Sequence, residues 1–313
     1  MRISRSLDFD YFMKSLLKVL FFCYIASSVD IIAQPVMKVE NYMKQATTHA
    51  QQGAASYGKY LFHFTSGTIC NIYDLDQKVH LGEMQYEMSA LKHCDTACFG
   101  AYKVDPKDEF PVIYLSGSQV DKLDSNGLIW VYRILHNGEN WNLKLHQIIK
   151  TPLVSDVGIC PDALLDNYDG CMWIMGWKTN HAKLQGNGSG AYLNFVKFKT
   201  PALEDGILDI KGIRNVVLSM ADCITSFVVN NAHAIQQGIC IRNHIVYIPY
   251  GVSTLGYQGI DVVNLDEGRV VRNIDLMGSS VVEPEAVFFY RGEMFIADQG
   301  TTIKRVVNYK EYE

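Results

Sequence analysis

The sequence predicts an all-β fold: a single β-propeller of five four-stranded blades, closed by an N-terminal strand. Three observations carry this. Apolar and polar residues alternate over short runs bounded by Gly, Asn and Asp, which is the pattern of strands rather than helices. One segment type recurs five times between Gln51 and the C-terminus, the repetition expected of blades, whose usual period is roughly 40–60 residues. The last repeat holds only three strands, while an alternating stretch, Pro35–Tyr42 (PVMKVENY), stands ahead of the first.

The five repeats begin with QQGAASYGKYLFHF at Gln51, CDTACFGAYKVDPKDEFPVIYLS at Cys94, PDALLDNYDGCMWIMGW at Pro161, QQGICIRNHIVYIPYG at Gln236 and PEAVFFYRGEMFIADQG at Pro284. Each gives a polar residue, a small residue, a short apolar run, a turn, and a second strand rich in aromatic and β-branched residues. Third strands follow as TICNIYDL, LIWVYRI, YLNFVKF, GIDVVNL and TIKRVV. Fourth strands follow as KVHLGEM, WNLKLHQII and RVVRNIDL. VVNLDEGRVVRNIDL reads as a hairpin around Asp266-Glu267-Gly268. The third repeat is the loosest. GILDIKGI and CITSFVVN lie between Phe198 and Ile235 without a clear place, so six blades stand as the alternative count. Pairing of Pro35–Tyr42 with the last blade would close the ring and remove its open edges.

The remaining features bound the function. The 313 residues carry a formal net charge of −5, and a mildly acidic chain lacks the basic stripe of a nucleic-acid binder. Residues 1–33 are expected to be a secretory leader rather than fold. Lys14 and Lys18 precede an apolar run from Leu16 to Ala26, and Ala33-Gln34 reads as a processing site. The run is shorter than the ~20 residues of a membrane span, so no span is expected in the mature chain. The charged stretch ahead of Met13 does not suit a leader, so the functional start is expected at Met13, with an uncleaved N-terminal anchor as the alternative. The propeller is then residues 34–313, and the expected location is secreted, periplasmic or on the cell surface. Of eight cysteines, seven follow the leader at irregular spacing. They read as free thiols acting as small apolar residues rather than as a disulfide framework.

In a propeller the first strand of each blade lines the central channel. The small residues Gly53, Thr96, Ala163, Gly238 and Ala286 let these strands approach one another. The polar residues just before them, Gln52, Asp95, Asp162, Gln237 and Glu285, are then expected in a ring at one mouth of the channel. Glu283 adds a further carboxylate, and His93 and His233 precede two of the blade openings. Converging carboxylates suit Ca²⁺, which takes several oxygen ligands. They also suit acid/base cleavage of a sugar chain, and histidines nearby suit proton transfer. The duller reading is that these side chains satisfy backbone groups of the next blade. Trp177 and Tyr250, at the ends of second strands, offer flat faces to a ligand, whereas Trp173 and Tyr247 read as filling between blades. The long polar stretch 176–192 is a loop of functional size.

Gln237-Gly238, Tyr247-Ile248-Pro249-Tyr250-Gly251 and Asp261-Val262-Val263-Asn264-Leu265 together resemble a blade of the five-bladed propellers typified by the plant-type glutaminyl cyclases. Glu283-Pro284-Glu285-Ala286 resembles the blade opening of other secreted propellers, including cell-wall-associated and phage ones. The resemblance implies a five-bladed exported propeller. The cyclases usually carry a Ser-Thr-Gly stretch after the second strand, where this chain reads YIPYGV. Two function classes follow. The first is a binding module that takes a glycan or a protein partner at the channel mouth. The alternative is an enzyme, either a carbohydrate hydrolase or lyase or a cyclotransferase-like protein, using the acidic ring. No phosphate-cradling Gly-rich loop, His-Glu-x-x-His motif or Gly-x-Ser-x-Gly elbow is present.

Overall fold

A computed structural model describes residues 37–46, 51–66, 68–86, 94–117, 123–166, 169–178, 188–307 and 309. The expected leader lies outside the described residues. The propeller unit, Met37–Glu313, contains five separate sheets.

Blade 1 runs β2 (Gln51–Tyr57), β3 (Tyr60–Thr65), β4 (Ile69–Asp74) and β5 (Val79–Gln85). Blade 2 runs β6 (Thr96–Phe99), β7 (Ile113–Ser116), β8 (Asn126–Asn137) and β9 (Asn140–Leu153). Blade 3 opens with β10 (Ile159–Asp166), β11 (Cys171–Trp177) and β12 (Ser189–Lys199). Blade 4 runs β16 (Cys240–Arg242), β17 (Ile245–Val252), β18 (Tyr257–Asn264) and β19 (Arg269–Asp275). Blade 5 is β20 (Pro284–Tyr290), β21 (Glu293–Asp298) and β22 (Thr302–Val307), completed by β1 (Lys38–Lys44). The closing strand is therefore real, although it runs from Lys38 to Lys44 rather than from Pro35 to Tyr42. It pairs antiparallel with β22 from Lys38↔Val307 to Lys44↔Thr302, with a bulge between Asn41 and Met43.

The loose third repeat resolves the blade count at five. CITSFVVN lies in β15 (Cys223–His233), the fourth strand of blade 3, paired with β12. GILDIKGI does not start a sixth blade. It leads into β13 (Ile207–Leu208) and β14 (Arg214–Val217), a small hairpin that leaves blade 3 and extends the edge of blade 2. β14 pairs in parallel with β9, from Arg214↔Gln147 to Val217↔Lys150. The sequence period hid this because a blade's outer edge is open and accepts any extended segment with free backbone groups. Among the described residues, the insertion is fastened by Gln147, which is fully buried and donates through Nε2 to the carbonyls of Ala202 (2.9 Å) and Asp205 (3.2 Å).

The core follows the ring. Five apolar clusters lie one between each pair of successive blades. Phe62 and Phe64 meet Phe99, Trp130 and Tyr132; Val131 and Ile149 meet Ile174 and Phe198. Trp173 and Phe195 meet Val246 and Ile248; Tyr247 and Val262 meet Val287 and Ile296; Phe288 and Phe295 meet Leu61 and Tyr73. Middle strands therefore bury both faces, which is why they read as near-continuous apolar runs, while outer strands such as β9 and β19 keep a polar face. Trp173 and Tyr247 are inter-blade filling, as expected. None of the seven cysteines among the described residues forms a disulfide, and Cys70, Cys94 and Cys98 are buried.

At the axis, inner strands touch across the ring. Gly53 N donates to Cys94 O (2.8 Å) and Gly238 N to Glu285 O (2.6 Å). A Cβ on Gly238 would stand 2.6 Å from Glu285 O, 2.8 Å from Asp95 O and 2.9 Å from Gly53 Cα. The two Gln-Gly pairs thus recur because only glycine permits this approach.

Candidate functional site

Antiparallel pairing brings the start of each first strand beside the end of the second. The pairs are Gln51↔Thr65, Thr96↔Ser116, Ile159↔Trp177, Gln236↔Tyr250 and Pro284↔Asp298. The predicted ring residues and the second-strand ends therefore share one face of the propeller.

On that face the carboxylates of three blades form one electrostatic group. Asp162 is buried, accepts from Ser116 Oγ (3.2 Å) and is hydrogen-bonded by the Thr96 side chain. Ser116 Oγ in turn accepts from Ala163 N (2.9 Å). Burial, followed by the charge of Asp95, pushes the Asp162 carboxyl well above the usual carboxylate range. Glu285 is 1% exposed. Gln299 Nε2 donates to its Oε1, and its buried Oε2 has no hydrogen-bond partner among the described residues. Burial raises its pKa to about 8; the hydrogen bond from Gln299 lowers it, and Glu283, Asp95 and Asp298 add to the rise. Asp95 is half-buried and acts on both Asp162 and Glu285, so it is the link between them. Gln237 Nε2 donates to Glu283 Oε1 (3.3 Å), and burial raises the Glu283 carboxyl.

The structure thus brings together Asp95, Asp162, Gln237, Glu283 and Glu285. Gln52 is buried in blade 1, where its carbonyl accepts from His63 Nε2 (3.1 Å). His63 is fully buried, and burial drops its pKa to about 4, so it is neutral. His233 lies a little outside the ring in the lead-in to blade 4. Its ring stacks on Tyr250 at 4.0 Å and 8°. Asp261 accepts from His233 N (2.7 Å) and lies 2.9 Å from Nδ1, while Asn273 Nδ2 donates to Asp261 Oδ1 (2.9 Å) and to the Tyr250 hydroxyl (2.8 Å). Tyr250 is 4% exposed, so it braces the rim rather than presenting an open face. Trp177 is half-buried at the end of β11, opposite Ile159. His93 and residues 179–187 of the long polar loop lie outside the described residues.

Sequence reasoning missed Ser116, Gln299, Asp261 and Asn273. Ser116 and Gln299 had a findable signal. Each is a polar residue at or just after the end of a second strand, where antiparallel pairing must bring it to a ring carboxyl. Asp261 sits within a continuous apolar strand and had no such marker.

Among the described residues, the one trio of ligand atoms lying within 4.8 Å of one another is Asp166, Asp169 and His244, in turns of the opposite face. Those groups form a polar network that ties blade 3 to blade 4. His244 Nε2 is 3.1 Å from Asp166, its Nδ1 is 3.1 Å from Asp266, and Lys197 pairs with Asp169.

No protein-family model matches the chain, and no curated protein matches it. Solved structures do. Glutaminyl cyclase from Myxococcus xanthus aligns at TM-score 0.50 and 10% identity, over 87% of this chain and 97% of that one. A putative oxidoreductase (glucose dehydrogenase) from Thermus thermophilus aligns at TM-score 0.47 and 10% identity, over 87% and 100%. A protein of unknown function from Bacteroides thetaiotaomicron aligns at TM-score 0.44 and 11% identity, over 86% and 75%. At such identities the first of these likenesses speaks to fold alone, and the fold it supports is the five-bladed propeller seen in blade-level sequence grammar. No helix among the described residues is long and apolar enough to cross a membrane.

Proposed function

We propose that this protein is an exported recognition module that binds a glycan at the acidic mouth of its channel. The observation carrying this reading is Glu285: a buried carboxyl with one oxygen lacking any hydrogen-bond partner among the described residues, set among Asp95, Glu283 and Gln237. An unpaired buried polar atom costs ~1–3 kcal/mol, and a ligand hydroxyl would recover that cost. Glu285, its pKa raised by burial to about 8, keeps its proton for the most part near neutrality, so it can both donate and accept. Amides beside it do the same. That mixture matches sugar hydroxyls, which are donors and acceptors at once.

The test is a glycan array followed by calorimetry on the hits. Glu285→Gln and Asp162→Asn are expected to weaken binding about tenfold or more while the folded state persists. A protein partner recovered in place of a glycan, or affinities that ignore both substitutions, would refute this reading. The raised Glu285 pKa also supports the enzymatic alternative, because a carboxyl held neutral near pH 7 can act as a general acid beside an ionised one. Release of shorter sugar products from a bound glycan, lost in Glu285→Gln, would establish that alternative.

Export belongs to the same proposal. The leader-like character of residues 1–33 supports binding outside the cytoplasm, and Edman sequencing of protein made in its own host is expected to begin near Gln34. A cytosolic protein that keeps Met1 would rule this out.

A further inference from the structure

On the face opposite the acidic mouth, the inserted hairpin creates a second concavity. It lies where the β6–β7 connection, the β10–β11 turn and the end of β12 meet the run from Thr200 into β14. Its volume is about 550 Å³, within the ~300–1,000 Å³ range of small-molecule pockets. Three permanent cations line it, Lys103, Lys199 and Arg214, against one carboxylate, Glu204, with His146 and the exposed ring of Tyr102 at its wall.

The charge pattern is unusual for this chain, which is acidic overall. Elsewhere several of the described cations are matched: Lys59 with Asp74, Arg133 with Asp108, Lys197 with Asp169, and Arg305 with Glu40 and Glu293. Lys103, Lys199 and Arg214 make no ion pair with any described residue. Converging like charges repel one another unless an anion lies between them.

The pocket is also pre-shaped. Arg214 is half-buried, and its Nη1 donates to Glu204 O (2.7 Å), which holds the guanidinium against the wall. His146 Nε2 is held by Leu203 O (2.9 Å), and buried Gln147 pins Ala202 and Asp205. Val104, Leu203 and Val216 pack on the core between blades 2 and 3. A binding wall fixed in advance loses little entropy on binding. The insertion is the one segment between β12 and β15 that departs from blade grammar, and it supplies Arg214 and Glu204.

We propose that this pocket binds a phosphate monoester that carries a ring. The cations suit the dianionic group, since Arg and Lys are the side chains that recognise phosphate. The volume is too large for a bare anion, and the exposed Tyr102 ring gives a sugar or base a flat face to stack on.

The experiment is calorimetric titration of the full chain with pyrophosphate and glucose 6-phosphate, with glucose as the control. Pyrophosphate tests the anion subsite and glucose 6-phosphate the whole pocket. Both phosphates are expected to bind and glucose is not. Lys103→Ala/Lys199→Ala, both at exposed positions outside the core, is expected to weaken binding at least tenfold. Arg214→Ala should do the same, with far-UV circular dichroism confirming that the fold persists. Rising salt is expected to weaken binding steadily. Glu285→Gln, on the other face, should leave these affinities unchanged, so this site stands or falls apart from the mouth. No heat at millimolar phosphate, equal binding of glucose, or unchanged affinity in the Lys103/Lys199 double variant would overturn the proposal.

Discussion

A chain from which Lys38–Lys44 is deleted is expected to lose most of its folding stability, because that strand is what turns an open array of blades into a ring. The strand completes the ladder along β22. Met37 and Met43 are buried, and Tyr42 packs edge-on against Phe295 at 4.8 Å while its hydroxyl donates to Leu75 O (2.7 Å). The last of these contacts crosses from blade 5 to blade 1. Gln45, just beyond the strand, donates through Nε2 to Asp298 O (2.7 Å). Losing the buried Met43 side chain costs roughly 2–5 kcal/mol, loss of the half-buried Tyr42 adds to it, and several backbone groups lose their partners as well. The sum is of the order of a domain's whole stability, ~5–15 kcal/mol. Urea unfolding followed by tryptophan fluorescence measures it. A deletion variant with an unchanged midpoint would mean that the ring does not depend on its closing strand. A synthetic peptide spanning residues 36–46 should restore part of the loss in trans.

The closing strand shows what the sequence makes legible. Blade grammar is periodic because each blade solves one packing problem, so its strands, its inner small residues and its missing fourth strand could be read in advance. Gly53 and Gly238 stand where backbones meet, and the Gln-Gly pairs announced them. The hairpin of residues 207–217 could not be placed in the same way. Its partner, β9, lies in the preceding blade, and parallel edge pairing leaves no local signature. The acidic mouth was legible for the same reason as the blades: equal register on rotated strands brings Asp95, Asp162 and Glu285 together. What the register could not convey is burial depth. Glu285 and Asp162 are deeply buried, whereas Tyr250, read as an open aromatic face, is covered by His233. Depth depends on side chains from neighbouring strands, such as Gln299 and Ser116, which lie outside the motif that marks the ring.

Stability is expected to fall as the pH rises from about 6.5 to 8.5, and Glu285→Gln is expected to flatten that decline. The sign follows from proton binding. Unfolded Glu285 titrates near its ordinary value of 4.5, whereas in the folded protein it titrates at about 8. Between those values the folded state keeps a proton that the unfolded state has shed. Stability from this source is therefore complete below 4.5 and is lost as pH rises through 8. A tenfold difference in proton affinity between the two states is worth ~1.4 kcal/mol, so the full loss is at most ~5 kcal/mol, and ~2–4 kcal/mol after local relaxation. Asp162, also shifted upward, acts in the same direction. His63 acts oppositely: its pKa of about 4 lies below the ordinary 6.5, so it adds stability as pH rises from 4 to 6.5 and nothing beyond. Measurements above pH 6.5 thus isolate the mouth. In Glu285→Gln the amide keeps an acceptor for Gln299 and removes the charge that becomes buried at high pH. The variant should match the wild type near pH 4.5 and exceed it by several degrees in Tm at pH 8.5. Thermal scans of both proteins across this range decide the matter. Parallel curves would mean that Glu285 is solvated in the folded protein, and a buried carboxyl oxygen would no longer be there for a ligand to satisfy.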